Sequence, residues 1–153
     1  MGVDLVEEEA VVGDMKIINQ TKAFYILRFD FDEEVIKGIT ELCKRKNISS
    51  AFFSGLGACK NTVLSYYDLE EKEYLDKEYL EDLEIVSFTG NVGLLANSQT
   101  IHAHGVFSNK NYQTFGGHVK ALTVSATCEI HLTYLPGKMK RIADIQTGLN
   151  LLG

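Results

Sequence analysis

Apolar residues at Val35, Ile36, Ile39, Leu42 and Cys43 fall at i, i+1, i+4, i+7 and i+8, one stripe of a 3.6-residue period. That stripe predicts the chain's clearest helix. Asp30, followed three residues later by Glu33, has the spacing of a capping box, with acidic groups at the positive end of the helix dipole. Lys44, Arg45 and Lys46 complement the negative end, and Asn47 suits a left-handed stop. Gly38 inside the stripe costs about 1 kcal/mol relative to alanine. Nearly everywhere else the pattern is β. Segments 15–19 and 23–29 are rich in branched and aromatic residues and flank a short polar turn, Gln20-Thr21-Lys22. Further strands are predicted at 50–53, 62–69, 83–89, 92–95, 100–107, 118–134 and 139–145. The segment 69–82, dense in charge and tyrosine, reads as a solvated hairpin or edge strand. The stretch 118–135 is long for one strand and is expected to bend or bulge. Leu135-Pro136-Gly137 is a turn, and so, on its glycines, is Ser54-Gly55-Leu56-Gly57-Ala58.

Helix and strands follow one another without a linker, so the expectation is one α+β domain over residues 15–153. Its plan is a mainly antiparallel, curved sheet packed against one main helix, behind a loose acidic N-terminal arm at 1–14. At 153 residues, 45% hydrophobic and 24% charged, the chain can bury a sizeable core. No apolar run is long enough to span a membrane, and the N-terminus lacks the basic start and apolar block of a secretory signal. A cytoplasmic protein is expected. A net charge of −6, with no basic block longer than Lys44-Arg45-Lys46, argues against tight direct binding of nucleic acid. Cys43, Cys59 and Cys128 are odd in number and widely spaced. They suggest buried, reduced thiols rather than a disulfide frame or zinc ribbon.

The chemical signal lies in Ile101-His102-Ala103-His104-Gly105 and Gly116-Gly117-His118, which hold three of the four histidines. His102 and His104 are two apart, so on a strand they share a face. Ser108-Asn109-Lys110-Asn111 is rich in turn residues. If Asn111 centres a reversal, position 104 lies opposite position 118, with Cβ atoms ~5 Å apart. Three converging imidazoles can hold Zn2+, or another divalent transition metal, and leave a position open. The competing reading is a set of unrelated polar positions on a half-exposed sheet. His131, thirteen residues beyond His118, faces the other side of an unbroken strand. Glu129 shares that parity, which weakens it as a fourth ligand or general base. The Gly55-Leu56-Gly57 stretch lacks the rest of a nucleotide-binding fingerprint, and no Gly-x-Ser-x-Gly elbow or Cys–His pair supports covalent catalysis. The pair Gly116-Gly117 either lets backbone approach a neighbour closely or simply turns, and beside His118 it is expected to leave access to an ion.

In order, the helix, the Gly-Leu-Gly-Ala stretch, Leu83-Glu84-Ile85-Val86-Ser87-Phe88-Thr89-Gly90, His102-x-His104, Gly116-Gly117-His118 and Glu129 resemble the plants-and-prokaryotes-conserved (PPC) domain. The resemblance spans residues 15–150. It implies an α+β fold with a mainly antiparallel sheet, assembly as a homotrimer, and, as in some prokaryotic members, a metal ion at His102, His104 and His118. Stand-alone prokaryotic members are often labelled predicted DNA-binding proteins. In plants the domain follows an Arg-Gly-Arg-Pro AT-hook that binds DNA, while the domain itself supports trimers and contacts with transcription factors. This chain has no such hook, and the glycine the family places after the arginine at Arg28 is absent. The resulting expectation is a trimeric zinc-type metal-binding protein whose open position takes a small anion or small molecule. The alternative is a protein–protein interaction or regulatory module in which the histidines pin the sheet. Whether a reaction is catalysed stays open. For the trimer contact, Ile85, Phe88 and Val92 are read as an exposed apolar strand face.

Overall fold

Two long strands, bent and gripped on several sides, organise the molecule. The computed structural model describes residues 11–12 (backbone only) and 15–153, so the acidic arm read at 1–14 lies outside the described residues apart from one short strand. In chain order the elements are β1 (Val11–Val12), β2 (Met15–Gln20), β3 (Phe24–Phe29), α1 (Val35–Arg45), β4 (Ala51–Asp68) and β5 (Glu73–Tyr79). There follow β6 (Leu83–Leu95), β7 (Ser98–Ser108), β8 (Thr114–Tyr134), β9 (Arg141–Ala143) and β10 (Asn150–Leu152). Eight strands form one sheet in the order β1-β2-β3-β8-β7-β6-β4-β5, with β8 also pairing β4. Because β6 links β7 to β4 and β8 links them again, pairing runs round a closed ring. This leaves Phe29, Phe88, Phe107, Leu122, Ile130 and Leu132 fully buried inside. All ladders of this sheet are antiparallel. The fold is thus the expected α+β domain, one helix on a curved antiparallel sheet.

The helix buries Val35, Ile39, Leu42 and Cys43 of the predicted stripe and leaves its fifth member, Ile36, half-buried. Each apolar side chain of this kind contributes about 1.5–3 kcal/mol when removed from water. Its start differs from the capping-box expectation. The Asp30 carboxylate is held by Lys16 at 2.7 Å and Arg28 at 2.9 Å, and Glu33 accepts from the Asp30 backbone N–H. The helix therefore begins one turn later. Its cap is Glu34, which accepts from Ile36 and Lys37 and also from the Leu122 N–H of β8 at 2.8 Å. One carboxylate thereby satisfies the helix end and fastens it to the sheet. At the other end Asn47 is left-handed (φ 54), and Ile48 donates to the Cys43 carbonyl at 2.8 Å, the closing bond of a Schellman motif. Gly38 is explained by packing: a methyl there would meet the Phe29 ring at 2.3 Å.

Several strand expectations need correction. Residues 54–58 form no turn; they run straight through β4, paired to β6 on one side and β8 on the other. The glycines serve close approach, since a Cβ on Gly57 (φ 148) would sit 2.0 Å from the Thr127 carbonyl oxygen. The segments at 83–89 and 92–95 are one strand. Ile85, Phe88 and Val92 are core residues, exposed by 3% or less, and not an outer face. A bulge between Ile85 and Ser87 shifts the register, so Ile85 and Phe88, three apart, both point inward and Val86 is turned out. The last predicted strand shrinks to β9, which pairs with β10 in a separate two-stranded sheet. The charged segment at 69–82 is the edge hairpin expected, with β5 paired to β4. All three cysteines are buried and free, as read from their spacing.

Candidate metal centre

The β7–β8 hairpin sets the site. Asn109 Oδ1 accepts from the Asn111 and Gln113 N–H groups, and Tyr112 donates to the Asn109 carbonyl with a left-handed φ of 60. The reversal centres on Asn111, and His104 pairs directly with His118. His102 lies two residues further along β7, opposite Asn91 of β6. The three rings meet with centroids 5.1, 5.2 and 5.5 Å apart, and one nitrogen from each falls within 4.8 Å of the others. His102 Nε2 and His104 Nε2 are 3.2 Å apart. All three histidines singled out in the sequence are therefore together. His131 lies elsewhere, edge-on to Phe24 and paired with Ile26 and Ser54. Glu129 pairs with Arg28 and Leu56 and is not in the cluster.

Glycine makes the convergence possible. Here β8 is held between β7 and β4, with Gly117 opposite Gly105 and His118 opposite Ser65. A Cβ on Gly116 would lie 2.5 Å from the Gly105 carbonyl oxygen, and one on Gly117 3.1 Å from that of Ser65.

Burial disfavours the charged form of two of the imidazoles. His118 is pushed down to about 4 by burial first, then by His102, His104 and Lys120, with Asp76 opposing. His102 is lowered by burial, then by Arg141 and His104. Neutral imidazole is the form that ligates a metal. His118 Nδ1 is buried with no hydrogen-bond partner, an orphan that a cation or a ligand's donor would satisfy. The donor set also passes a distance test. Nitrogens 2.0–2.1 Å from a tetrahedral zinc sit about 3.3 Å apart. The 3.2 Å His102–His104 spacing already matches, and every pair lies within 4.8 Å.

Sequence reasoning missed the surroundings. Tyr74 of β5 lies against His118, with ring centroids 5.2 Å apart. Asp76, two residues on, binds Lys120 at 2.8 Å and Ser65 at 2.7 Å within electrostatic reach of His118. Arg141 reaches Asn91, the residue opposite His102. The alternation of Tyr74 and Asp76 along β5 was a usable signal; nothing local marked Arg141. A cleft of about 580 Å3 opens beside the cluster, lined by His102, His118, Tyr67, Tyr74 and Arg141 and by the C-terminal leucines.

Fold and site together define a closed antiparallel barrel, one helix on its flank, with a three-imidazole cluster where β7 meets β8. The chain belongs to the Plants and Prokaryotes Conserved (PCC) domain family, whose model matches residues 18–136. Among solved structures, a metal-containing protein from Archaeoglobus fulgidus is 35% identical (TM-score 0.79, covering 84% of this chain and 91% of that one). A plant- and prokaryote-conserved protein from Pyrococcus horikoshii is 31% identical (TM-score 0.80, covering 94% and 97%). A candidate DNA-binding protein from Bacteroides thetaiotaomicron superimposes with a TM-score of 0.85, covering 88% and 94%, but at 24% identity that likeness shows the fold alone. No curated protein matches the chain. Among the described residues no helix is long and apolar enough to cross a membrane.

Proposed function

We propose that the protein is a zinc-type metal-binding protein that holds its ion on His102, His104 and His118 and works as a homotrimer. The convergence of three imidazole nitrogens within 4.8 Å carries the metal reading. The orphaned His118 Nδ1 and the metal-containing relative from Archaeoglobus fulgidus support it. Zinc on three imidazoles keeps a fourth position for an exchangeable ligand and acts there as a Lewis acid. The chain's own residues hold and orient that site: Tyr74 braces the His118 ring, and the Gly116-Gly117 backbone lets β8 approach β7 closely enough to present it. His104 stays exposed, so the fourth position is reachable from solvent, where a small anion or small molecule is the ligand we favour.

Trimer formation is supported by apolar side chains on neighbouring strands. Leu56 (57% exposed), Val86 (56%) and Val106 (43%) lie on β4, β6 and β7, left uncovered by the other described residues. Elemental analysis of tag-free protein tests the metal. About one equivalent of zinc per chain, lost in His104→Ala, is the expected result, and a variant that keeps its metal refutes the assignment. Light scattering should give three times the chain mass; a monomer refutes the assembly.

A further inference from the structure

One wall of the cleft beside the histidines is built by residues outside the stretch that matches the family, 18–136. Arg141, Leu149, Leu151 and Leu152 come from the C-terminal segment, and Tyr67, Lys72 and Tyr74 close the opposite side. A volume of about 580 Å3 falls in the range of small-molecule sites. Its charge runs against that of the whole chain. The protein carries a net −6, yet Arg141 and Lys72 line the cleft and, among the described residues, no Asp or Glu does.

The Arg141 guanidinium is the informative group. It donates to two neutral acceptors, Asn91 Oδ1 at 2.5 Å and the Asn150 carbonyl at 3.1 Å. Its Nε is buried without an acceptor, and among the described residues no ion pair engages it. A partly buried guanidinium without a carboxylate is costly, because neutral acceptors do not replace the lost hydration of a full charge. Among the described residues, two acids on the elements around the cleft are committed elsewhere. Asp76 is held by Lys120 and Ser65, and Asp144 by Thr147, where it also attracts Lys72. Around the charge the walls are leucine and tyrosine, which suit an apolar or aromatic body.

We infer that this cleft binds a small anion with an apolar or aromatic body, a carboxylate or a phosphate monoester, its charged head on Arg141 and its body against Tyr67, Leu149 and Leu151. The site shares His102 and His118 with the proposed metal centre but rests on Arg141, so the two readings fail separately.

Calorimetry on metal-stripped protein tests it, with 3-phenylpropionate and phenyl phosphate as probes, 3-phenylpropanol as the neutral counterpart and inorganic phosphate as the bare head. At least one aromatic anion should bind on the order of tenfold more tightly than the alcohol, and the two probes distinguish a carboxylate ligand from a phosphate one. Arg141→Gln should erase that preference while leaving the alcohol unaffected. Because Arg141 also ties Asn91 to the C-terminal strand, a second variant approaches from the rim. Leu152→Glu, at a 45% exposed position, places a carboxylate beside the cleft and should weaken both anions roughly tenfold with an unchanged melting temperature. Equal binding of anions and alcohol overturns the proposal, as does wild-type anion affinity in both variants. Anion binding that appears only after zinc is restored and survives Arg141→Gln also overturns it, and assigns the anion to the metal.

Discussion

Replacing Gly116 with alanine tests whether backbone contact between β7 and β8 is what assembles the histidines. The added methyl would lie 2.5 Å from the Gly105 carbonyl oxygen. Carbon–oxygen contacts of this kind relax at about 3.3 Å or more, so the strands must part by ~0.8 Å. The obstacle is the β7 backbone at Gly105 and Val106, with no flexible side chain to swing away. A cost near the top of the overpacking range, about 2–3 kcal/mol, follows. At roughly 2–4 °C per kcal/mol for a domain of this size, the melting temperature should fall by about 4–12 °C. The strain sits two residues from His118, in the register that sets His118 against His104. Ligand distances must hold to about 0.2 Å for a well-formed zinc site. Zinc affinity, titrated well below the melting temperature, should therefore drop on the order of tenfold or more. Lys110→Ala, at the exposed tip of the same hairpin, should change neither quantity appreciably. A Gly116→Ala protein that melts and binds zinc like wild type would show that the pairing tolerates a side chain, and that glycine has no part in forming the site.

Three further outcomes follow from the same coordinates. Gly38→Ala should lower stability by about 1–2 kcal/mol in urea melts despite alanine's better helix propensity, because the methyl would meet the Phe29 ring at 2.3 Å; a stabilised variant would refute the packing account. In metal-free protein, His118 is pushed down to about 4 chiefly by burial, so the folded state holds it neutral while the unfolded chain protonates it near 6.5. Its contribution is complete above pH 6.5 and is lost as pH falls towards 4. After discounting for solvent screening it is worth about 1–2 kcal/mol, and His118→Gln should flatten the urea-derived stability curve across that window. The thiols of Cys43 and Cys128 are pushed up to about 12 and that of Cys59 to about 11, chiefly by burial. Ellman's reagent at pH 8 should therefore modify the native protein roughly 100-fold more slowly than the denatured chain, and prompt reaction of even one thiol would contradict the burial.

The parts of the site that could be read in advance are those governed by local geometry. Two-residue periodicity puts His102 and His104 on one face, and the turn chemistry of Asn109 and Asn111 centres the hairpin, so the pairing of His104 with His118 follows from the chain alone. The helix stripe and its Asn47 stop are equally local. What escaped depends on ring closure. Arg141 reaches His102's neighbour Asn91 only because the segment after Pro136 returns along β6, where Leu94 donates to the Met139 carbonyl. Tyr74 meets His118 only because β4 pairs with β5 and β8 at once. Bulges defeat parity arguments in a similar way, since one extra residue near Val86 turns Ile85 and Phe88 to the same side. Glu34 displaces the predicted cap because Lys16 and Arg28, from two other strands, compete for Asp30. The division has a functional consequence. The histidines lie within the family's span and are set by short-range rules, whereas Arg141 and the C-terminal leucines of the cleft lie beyond it and are placed by long-range contacts. On the proposed reading, ligand preference would rest on the C-terminal segment and metal binding on the three-imidazole cluster, so Arg141→Gln should alter the first and leave the second unchanged.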